Sequence, residues 1–366
     1  MRIAQISPLW ESVPPPAYGG SELVVSLLTD ELVRRGHDVT LFASGDSMTL
    51  AKLEGIYPSA LRLEQGFQKY PIYEMLELMR VYNQAQEFDI IHSHIGYAAL
   101  PCASLVKTPT IHTLHNPVSS DNEKLFSYAR HQPYVSISQA QRLAMLELNY
   151  VATVYNGIDA TQHQFYPQPD DPPYLAFLGR MSPTKGAHLA IAIAKRSGWH
   201  LKMAGKIDPE DIPYFEQAIK PQIDGQQIEY LGEANHAQKN ALLGGAVATL
   251  FPITWQEPFG LVMVESMAAG TPVVAMAKGS TSEVIIHGKT GFLCYNLEEC
   301  LAAIQQAAQL DRYTCRDHVL HYFSVQQMVD GYERVYQKIL LERYSQNGQV
   351  RGLDRSRMRD GKCELL

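Results

Sequence analysis

The 366-residue sequence lacks several features that would place it in a familiar class of protein. No uncharged run approaches the roughly 20 residues of a membrane-spanning helix, and the N-terminal segment has no long apolar signal-peptide core. Its five cysteines form no C-x-x-C pair and show no metal-ligand spacing. We therefore expect a cytoplasmic protein with reduced, buried thiols rather than a disulfide scaffold.

Positive charge is also scarce, since the formal net charge is -7. This balance argues against nucleic acid as the principal partner. A basic segment at residues 351–362 could touch a membrane surface, but the rest of the sequence does not indicate peripheral membrane contact. The G-x-G-x-x-G fingerprint of dinucleotide-binding domains is absent as well.

Segments of strand and helix character alternate along the chain, which is the pattern of parallel sheets with crossover helices. A stretch rich in proline and acid, residues 166–173, interrupts the alternation. We predict two Rossmann-like α/β domains facing a central cleft, with ligands at the carboxyl ends of the strands. Strands are predicted at residues 3–7, 39–43, 89–93, 110–114, 134–137, 151–155, 174–178, 200–204, 228–231, 248–252 and 272–276. The predicted boundaries are 1–168 for the first domain, 169–173 for the linker, 174–322 for the second domain, 323–344 for a final helix and 345–366 for a flexible tail.

The segment that follows the predicted strand 248–252 carries the strongest chemical signal. Glu257 lies in a loop, Gly260 precedes a stretch of helical spacing, and Glu265 lies one turn inside that helix. The first turn of a helix leaves backbone N–H groups unpaired and carries about half a positive charge, which suits phosphate. One carboxylate can then reach a ligand at the helix N-terminus, and the other can accept hydrogen bonds from hydroxyls along the helix.

The second domain opens with two cations, Arg180 and Lys185, just after the strand 174–178. A planar guanidinium beside a mobile ammonium is suited to a diphosphate, although two solvated surface cations would give the same pattern. Further along, Ser280 and Glu283 follow the strand 272–276. They place a hydroxyl and a carboxylate at a strand end facing the cleft, or else this loop supplies the N-cap of a short helix that ends near residue 287.

In the first domain, Gly19 and Gly20 follow the first strand and open its helix. They allow close approach of a ligand to the backbone, and a plain helix cap explains them equally well. His115 follows the strand 110–114 and is expected at the cleft. His92 and His94 should share one face of their strand, with no third metal ligand at a recognisable spacing.

Taken in order, these residues resemble retaining glycosyltransferases of family 4, which have the GT-B fold. The resemblance spans about residues 3–344. It is carried by Gly19-Gly20-Ser21-Glu22, His115, Asn156-Gly157-Ile158-Asp159, Gly179-Arg180 with Lys185-Gly186, and Glu257-Pro258-Phe259-Gly260 with Glu265.

The resemblance implies a hexosyltransferase whose catalytic residues are His115, Arg180, Lys185 and Glu257. Arg180 and Lys185 would hold the diphosphate of a UDP- or GDP-linked sugar, Glu265 would bind its ribose, and His115 would lie beside the transferred sugar. Such enzymes need no metal or other cofactor, and their last helix crosses back to the first domain. The remaining donor contacts would come from Gly19, Gly20, Glu257, Phe259, Gly260 and Leu261.

The acceptor stays open between a small molecule, a glycan and a lipid-linked molecule. Residues 116–122 differ from the pattern of close relatives, and Ser282-Glu283 stands where a Pro-Glu pair is usual. Two other functions fit the same architecture. One is a two-lobed sugar or nucleotide-sugar binding protein without transferase activity, and the other is a GT-B sugar-nucleotide epimerase.

Overall fold

A computed structural model describes residues 1–64 and 70–346. Its strands form two sheets, one of seven strands and one of six, and neighbouring strands within each sheet run parallel. The first sheet comprises β1 (Arg2–Ile6), β2 (Asp38–Ala43), β3 (Lys52–Gly55), β4 (Ile90–Ser93), β5 (Thr110–Leu114), β6 (Tyr134–Ser136) and β7 (Tyr150–Thr153). The second comprises β8 (Tyr174–Leu178), β9 (His200–Ala204), β10 (Ile228–Tyr230), β11 (Ala248–Phe251), β12 (Val273–Met276) and β13 (Gly291–Cys294).

Helices cross over between the strands and cover both faces of each sheet. Those of the first half are α1 (Gly20–Arg34), α2 (Tyr70–Asn83), α3 (Leu100–Ala103), α4 (Glu123–Tyr128) and α5 (Gln139–Arg142). Those of the second half are α6 (Ala187–Ser197), α7 (Ile212–Tyr214), α8 (His236–Gly244), α9 (Leu261–Ala268), α10 (Thr281–Val284), α11 (Leu297–Ala307) and α12 (Arg312–Tyr322), followed by the final helix α13 (Val325–Gln346). A π-turn, Phe215–Ile219, continues α7.

Side chains of β1 point alternately to the two faces of the first sheet, and helices pack against both faces. Ile3 packs with α1 and α13 on one face, whereas Ala4 and Ile6 pack with α2 on the other. In the second half, Leu250 of β11 faces the core shared with α6 and α11, and Phe251 faces the core shared with α9 and α12. Sheets buried on both faces need almost wholly apolar strands, which explains why these segments are recognisable in the sequence.

The strand orders β3-β2-β1-β4-β5-β6-β7 and β10-β9-β8-β11-β12-β13 determine where a ligand can bind. In each sheet the order reverses at one place, between β1 and β4 in the first and between β8 and β11 in the second. Loops leaving the carboxyl ends of the strands diverge there and open a crevice. The predicted motifs follow these strands, with Gly19 after β1, Arg180 after β8 and Glu257 after β11.

The helix α13 packs against the first sheet although it follows the second in the chain. Its buried residues Val329, Tyr332 and Tyr336 share a core with Ile3 of β1 and Val24 of α1. No helix of the described ranges 1–64 and 70–346 is long and apolar enough to cross a membrane. Most of the predicted tail, residues 347–366, lies outside these ranges.

The predicted strands are all present, with ends that differ by at most two residues. The structure adds β3, β13, α8 and α12, which the sequence pattern did not predict. The sequence of β3, Lys52–Gly55, is half polar because it forms an edge of the sheet. β13 is only four residues long and begins at a glycine, so it carries little periodicity.

Candidate active site

A cavity of about 350 Å³ lies between the carboxyl edges of the two sheets, and both halves of the chain line it. All ten residues predicted for catalysis or donor binding contribute to its wall. They are Gly19, Gly20, His115, Arg180, Lys185, Glu257, Phe259, Gly260, Leu261 and Glu265. The structure therefore brings together residues that are up to 246 positions apart in the sequence, from Gly19 to Glu265.

The N-terminus of α9 forms one end of this cavity. Gly260 is the N-cap residue and no side chain caps the helix, so the first backbone N–H groups remain without a side-chain partner. The buried carboxylate of Glu257 lies just before the helix, where its Oε2 atom accepts hydrogen bonds from Lys185 Nζ at 2.6 Å and from Trp255 Nε1 at 2.8 Å. An anion at this helix terminus would meet Lys185 as well as the helix dipole.

Arg180 lies beside a group of acids that follows β9. Its Nη1 atom donates to Asp208 at 3.1 Å, and Glu210 and Asp211 approach the same guanidinium at 3.6 and 3.5 Å. Burial opposes ionisation of Asp208, but Lys206 and Arg180 together hold the pKa of its carboxyl below the usual value. The carboxylate oxygens of these three acids lie within 4.8 Å of one another, and within the described ranges they are the one group with a spacing suited to a metal. Here they surround a guanidinium.

Glu265 is almost fully buried inside α9 and pairs with a residue that the sequence did not single out. Lys239 Nζ of α8 donates to Glu265 Oε1 at 2.9 Å. Burial opposes ionisation, but Lys239 and then His163 lower the pKa of Glu265, so it is a carboxylate near neutral pH. Lys239 was missed because α8 itself was not predicted.

The first-domain wall of the cavity approaches the second domain closely. A Cβ atom added to Gly20 would lie 3.3 Å from Leu261 Cδ1, so the absence of a side chain allows the contact. Next to it, Lys206 Nζ lies 3.7 Å from the ring centroid of Tyr18 and 2.8 Å from Asp208 Oδ1. Tyr18, which directly precedes Gly19, and Lys206 are not among the residues predicted for catalysis or donor binding.

His115 contributes an imidazole to this wall. Its Nε2 atom lies 2.9 Å from Nδ1 of His94, and the rings of His94 and His92 are in contact, tilted by 41° with centroids 4.0 Å apart, so these two do share a face. Burial lowers the pKa of His115 to about 4. The ring is therefore neutral near pH 7 and can polarise or orient a hydroxyl, but it does not supply a positive charge.

Glu283, which the sequence placed near the cleft, instead joins the two halves of the chain. Its carboxylate accepts the backbone N–H groups of Gln139 and Ala140 at 2.7 and 2.8 Å, and the hydroxyl of Tyr155 at 2.9 Å. The expected short helix is α10, and Ser280 stands at its N-cap position, but no side chain caps this helix because the hydroxyl of Ser280 donates instead to the carbonyl of Phe259 at 2.8 Å. Ser280 thus fixes the loop before α9.

Comparison with known proteins shows the family. The family model described as Glycosyltransferase Family 4 matches residues 18–213, and the one described as Glycosyl transferases group 1 matches residues 159–313. The glycogen synthase of Mycobacterium tuberculosis is 26% identical over 358 residues, covering 80% of this chain and 82% of its own. The N-acetyl-alpha-D-glucosaminyl L-malate synthase of Bacillus anthracis is 24% identical over 382 residues, covering 92% and 97%.

Solved structures show the same architecture. AviGT4, a glycosyltransferase involved in avilamycin A biosynthesis, is 25% identical, with a TM-score of 0.68 over 93% of this chain and 98% of its own. Anabaena HepE in complex with UDP and glucose is 18% identical, with a TM-score of 0.71 over 92% and 100%. Since one family model matches more than half of the sequence, the chain belongs to glycosyltransferase family 4 and is a glycosyltransferase with the GT-B fold.

Proposed function

We propose that this enzyme transfers a hexosyl group from a UDP- or GDP-linked sugar to a hydroxyl of an acceptor, with retention of anomeric configuration. The observation that carries the proposal is the convergence of Arg180, Lys185 and the N-terminus of α9 on one cavity. These positive groups lie on the second-domain wall beside the buried carboxylates Glu257 and Glu265. HepE, which shares the fold, holds UDP and glucose in its solved structure.

Charge stabilisation would supply the main catalytic effect. The bond between the anomeric carbon and the phosphate oxygen breaks with negative charge developing on the diphosphate and positive character on the sugar. Lys185 and Arg180 would stabilise the diphosphate. In the structure both cations are already paired, Lys185 with Glu257 and Arg180 with Asp208. A donor diphosphate would compete with these carboxylates, and the released Glu257 would be free to bind sugar hydroxyls.

We propose that no residue of the enzyme forms a covalent bond to the sugar. The acceptor oxygen would attack the anomeric carbon on the face that the phosphate leaves, and its proton would pass to the leaving phosphate oxygen. Glu257 is held by Lys185 and Trp255. A sugar trapped covalently on Glu257 would contradict this route.

We also propose that the reaction needs no metal, with Arg180, Lys185 and the α9 dipole acting on the diphosphate instead. Full transfer activity in excess EDTA is expected, and an absolute requirement for Mg²⁺ would overturn this part of the proposal. The acids Asp208, Glu210 and Asp211 lie 3.1, 3.6 and 3.5 Å from the Arg180 guanidinium, so a cation held by these carboxylates would lie beside a positive charge.

The first-domain wall indicates the chemistry of the acceptor. The residues that line the cavity from this side include Tyr18, Ser21, Asn116 and Asn156, and none of the first-domain lining residues carries a formal charge when His115 is neutral. Such a wall suits a neutral acceptor with hydroxyl groups, either free, in a glycan or attached to a lipid. We expect a neutral polyol or sugar to be used more readily than its phosphorylated form.

The experiment that tests the proposal begins with calorimetric titration of UDP, GDP and ADP in the presence of EDTA. Donor turnover is then followed by NMR of the anomeric carbon with sugars linked to the nucleotide that binds. Slow release of nucleotide and free sugar supports the transferase. Tight binding without any turnover, even with a panel of polyols, would favour a two-lobed binding protein. Conversion of the donor into an epimer would favour the epimerase.

A further inference from the structure

A chain of hydrogen bonds runs through the first domain from the cavity to the last helix. It starts at His115, passes through His94 to Gln5 of β1, and reaches the hydroxyl of Tyr336 on α13. Gln5, His94 and Tyr336 are essentially inaccessible to solvent. We infer that this chain fixes the tautomer of His115, so that its Nδ1 atom faces the cavity as a hydrogen-bond acceptor, and that Gln5 and His94 are positioning residues for it.

The positions of the protons on the histidine rings can be assigned by starting from the side-chain amide of Gln5. Oε1 of Gln5 lies 3.0 Å from His94 Nε2 and, as a carbonyl oxygen, can only accept, so His94 carries a proton on Nε2. A neutral imidazole has one N–H, which leaves Nδ1 of His94 as an acceptor. That atom is 2.9 Å from Nε2 of His115, so His115 must donate from Nε2. The remaining ring nitrogen of His115, Nδ1, then has a lone pair.

The other end of the chain agrees with this assignment. Nε2 of Gln5 donates to the hydroxyl oxygen of Tyr336 at 3.1 Å, so the single proton of that hydroxyl is directed to Nδ1 of His92 at 2.8 Å. His92 must then donate from Nε2 to the hydroxyl of Thr113 at 2.7 Å. Each step has one donor and one acceptor.

A branch of the network ends at a second tyrosine of the same helix. The hydroxyl of Thr113, having accepted from His92, keeps its own proton and can donate it to the hydroxyl oxygen of Tyr332 at 3.1 Å. Tyr332 and Tyr336 lie one turn apart on α13 and stack with ring centroids 6.3 Å apart. This branch leads away from His115, and it therefore provides a control for the path through Gln5.

Protonation does not disturb this arrangement at neutral pH. Burial lowers the pKa values of His92 and His94 well below the ordinary value, and it lowers that of His115 to about 4. Each ring thus carries one N–H proton, and its hydrogen-bond partners determine which of the two nitrogens holds it. Among the described residues Nδ1 of His115 has no hydrogen-bond partner, and the ring lines the cavity.

The assignment specifies what His115 recognises. An unprotonated Nδ1 atom accepts a hydrogen bond from a hydroxyl, and it cannot donate to a phosphate oxygen or a carbonyl. This consequence rests on the proposed function, in which the group beside His115 is a sugar hydroxyl. It predicts that a donor sugar whose hydroxyl at this place is replaced by hydrogen or a methyl ether binds about tenfold less tightly, the effect of one neutral hydrogen bond.

The tautomer can be read directly in the wild-type protein. In protein labelled with ¹⁵N-histidine, two-bond ¹H–¹⁵N correlation spectra at pH 7 distinguish a protonated from an unprotonated ring nitrogen, and His115→Ala identifies the signals of His115. We expect a protonated Nε2 and an unprotonated Nδ1. The reverse pattern would overturn the inference. It requires the oxygen and nitrogen of the Gln5 amide to exchange places and the donor and acceptor of every hydrogen bond along the chain to be reversed.

Two variants test the role of the network. Gln5→Met removes the acceptor of His94, and we expect signals from both tautomers of His115 and a drop of about tenfold in kcat/KM. Tyr332→Phe, on the branch, should leave the His115 signals unchanged. A Gln5→Met protein that keeps the wild-type tautomer contradicts the role of Gln5. If that variant does not fold, the wild-type spectrum still decides the tautomer, and it does so even if no nucleotide sugar proves to be a substrate.

Discussion

The ammonium of Lys185 lies 2.6 Å from the carboxylate of Glu257, so two residues expected to bind different parts of one donor contact each other directly. The pair is mostly buried, with the two side chains 22% and 8% exposed. A buried carboxylate without a partner is costly, and Lys185 therefore compensates the charge of Glu257 beside the N-terminus of α9. Substrate binding would then exchange one partner of Lys185 for another.

Replacing Lys185 by alanine should lower kcat by about 10²-fold, as expected for loss of one group that stabilises developing charge. The effect is measured with saturating donor. Lys195→Ala serves as the control, because Lys195 donates to Gln222 on an exposed surface and should behave as wild type. Activity of Lys185→Ala within a factor of two of wild type would remove Lys185 from the diphosphate site.

Glu265→Gln should weaken nucleotide binding and leave kcat with saturating donor nearly unchanged. A hydrogen bond to a charged group contributes about 1.5–3 kcal/mol, so we expect affinity to fall by about 10- to 100-fold. Calorimetric titration of the nucleotide measures this. Glu216→Gln, at an exposed carboxylate paired with Lys220, is the matched control. An unchanged nucleotide affinity would show that Glu265 and its partner Lys239 are only structural.

The stability of the enzyme should depend on pH through Glu22, a buried residue in the first turn of α1. Burial raises the pKa of Glu22 to about 7 from 4.5, so the folded state binds a proton that the unfolded state releases between these values. Stability contributed by this group is thus lost as pH rises from about 4.5 to about 7.

Glu22→Gln removes this dependence. The variant should gain stability relative to wild type across that interval, by on the order of 3 kcal/mol above pH 7, where the difference becomes constant. Urea unfolding at pH 5, 6, 7 and 8 measures the difference. If the stability advantage of the variant over wild type becomes smaller as pH rises, the pKa of Glu22 is not raised in the folded state.

Two glycines with positive φ, Gly198 at 73° and Gly205 at 146°, should differ in their tolerance of alanine. Gly198 and Gly205 both have positive φ, but a Cβ atom on Gly198 meets nothing within 4 Å, whereas one on Gly205 would overlap the carbonyl of Gly179. Gly198→Ala should cost about 1 kcal/mol from backbone strain alone. Gly205→Ala should cost more than about 4 kcal/mol or prevent folding, because backbone atoms at the cavity must move. Similar unfolding midpoints for the two variants would contradict the close contact.

The fold could be predicted from the sequence because its strands are buried on both faces. Segments such as Tyr174–Leu178 are apolar throughout and are recognisable without any partner. The missed elements are short or polar. The nine residues of α8 include His236, Gln238, Lys239 and Asn240, so the apolar pattern that marks a helix is weak.

The site was predictable only in part, for a similar reason. Arg180, Glu257 and Glu265 belong to local motifs whose spacing is visible in the sequence. Their partners Asp208 and Lys239 lie on other elements, and sequence spacing carries no information about which charges meet across a fold. Glu283 was placed at the correct strand end, but its bonds to the first domain depend on how the two sheets face each other.

The two places where the polypeptide passes between the sheets lie side by side. The N–H of Ile158 donates to the carbonyl of Phe323, and the N–H of Val325 donates to the carbonyl of Ile158. In topological terms, the segment between them, which contains the second sheet, is an insertion into a domain made of the first sheet and α13. The chain enters and leaves this inserted segment at one place, so any rotation of one sheet relative to the other must bend both chain crossings together.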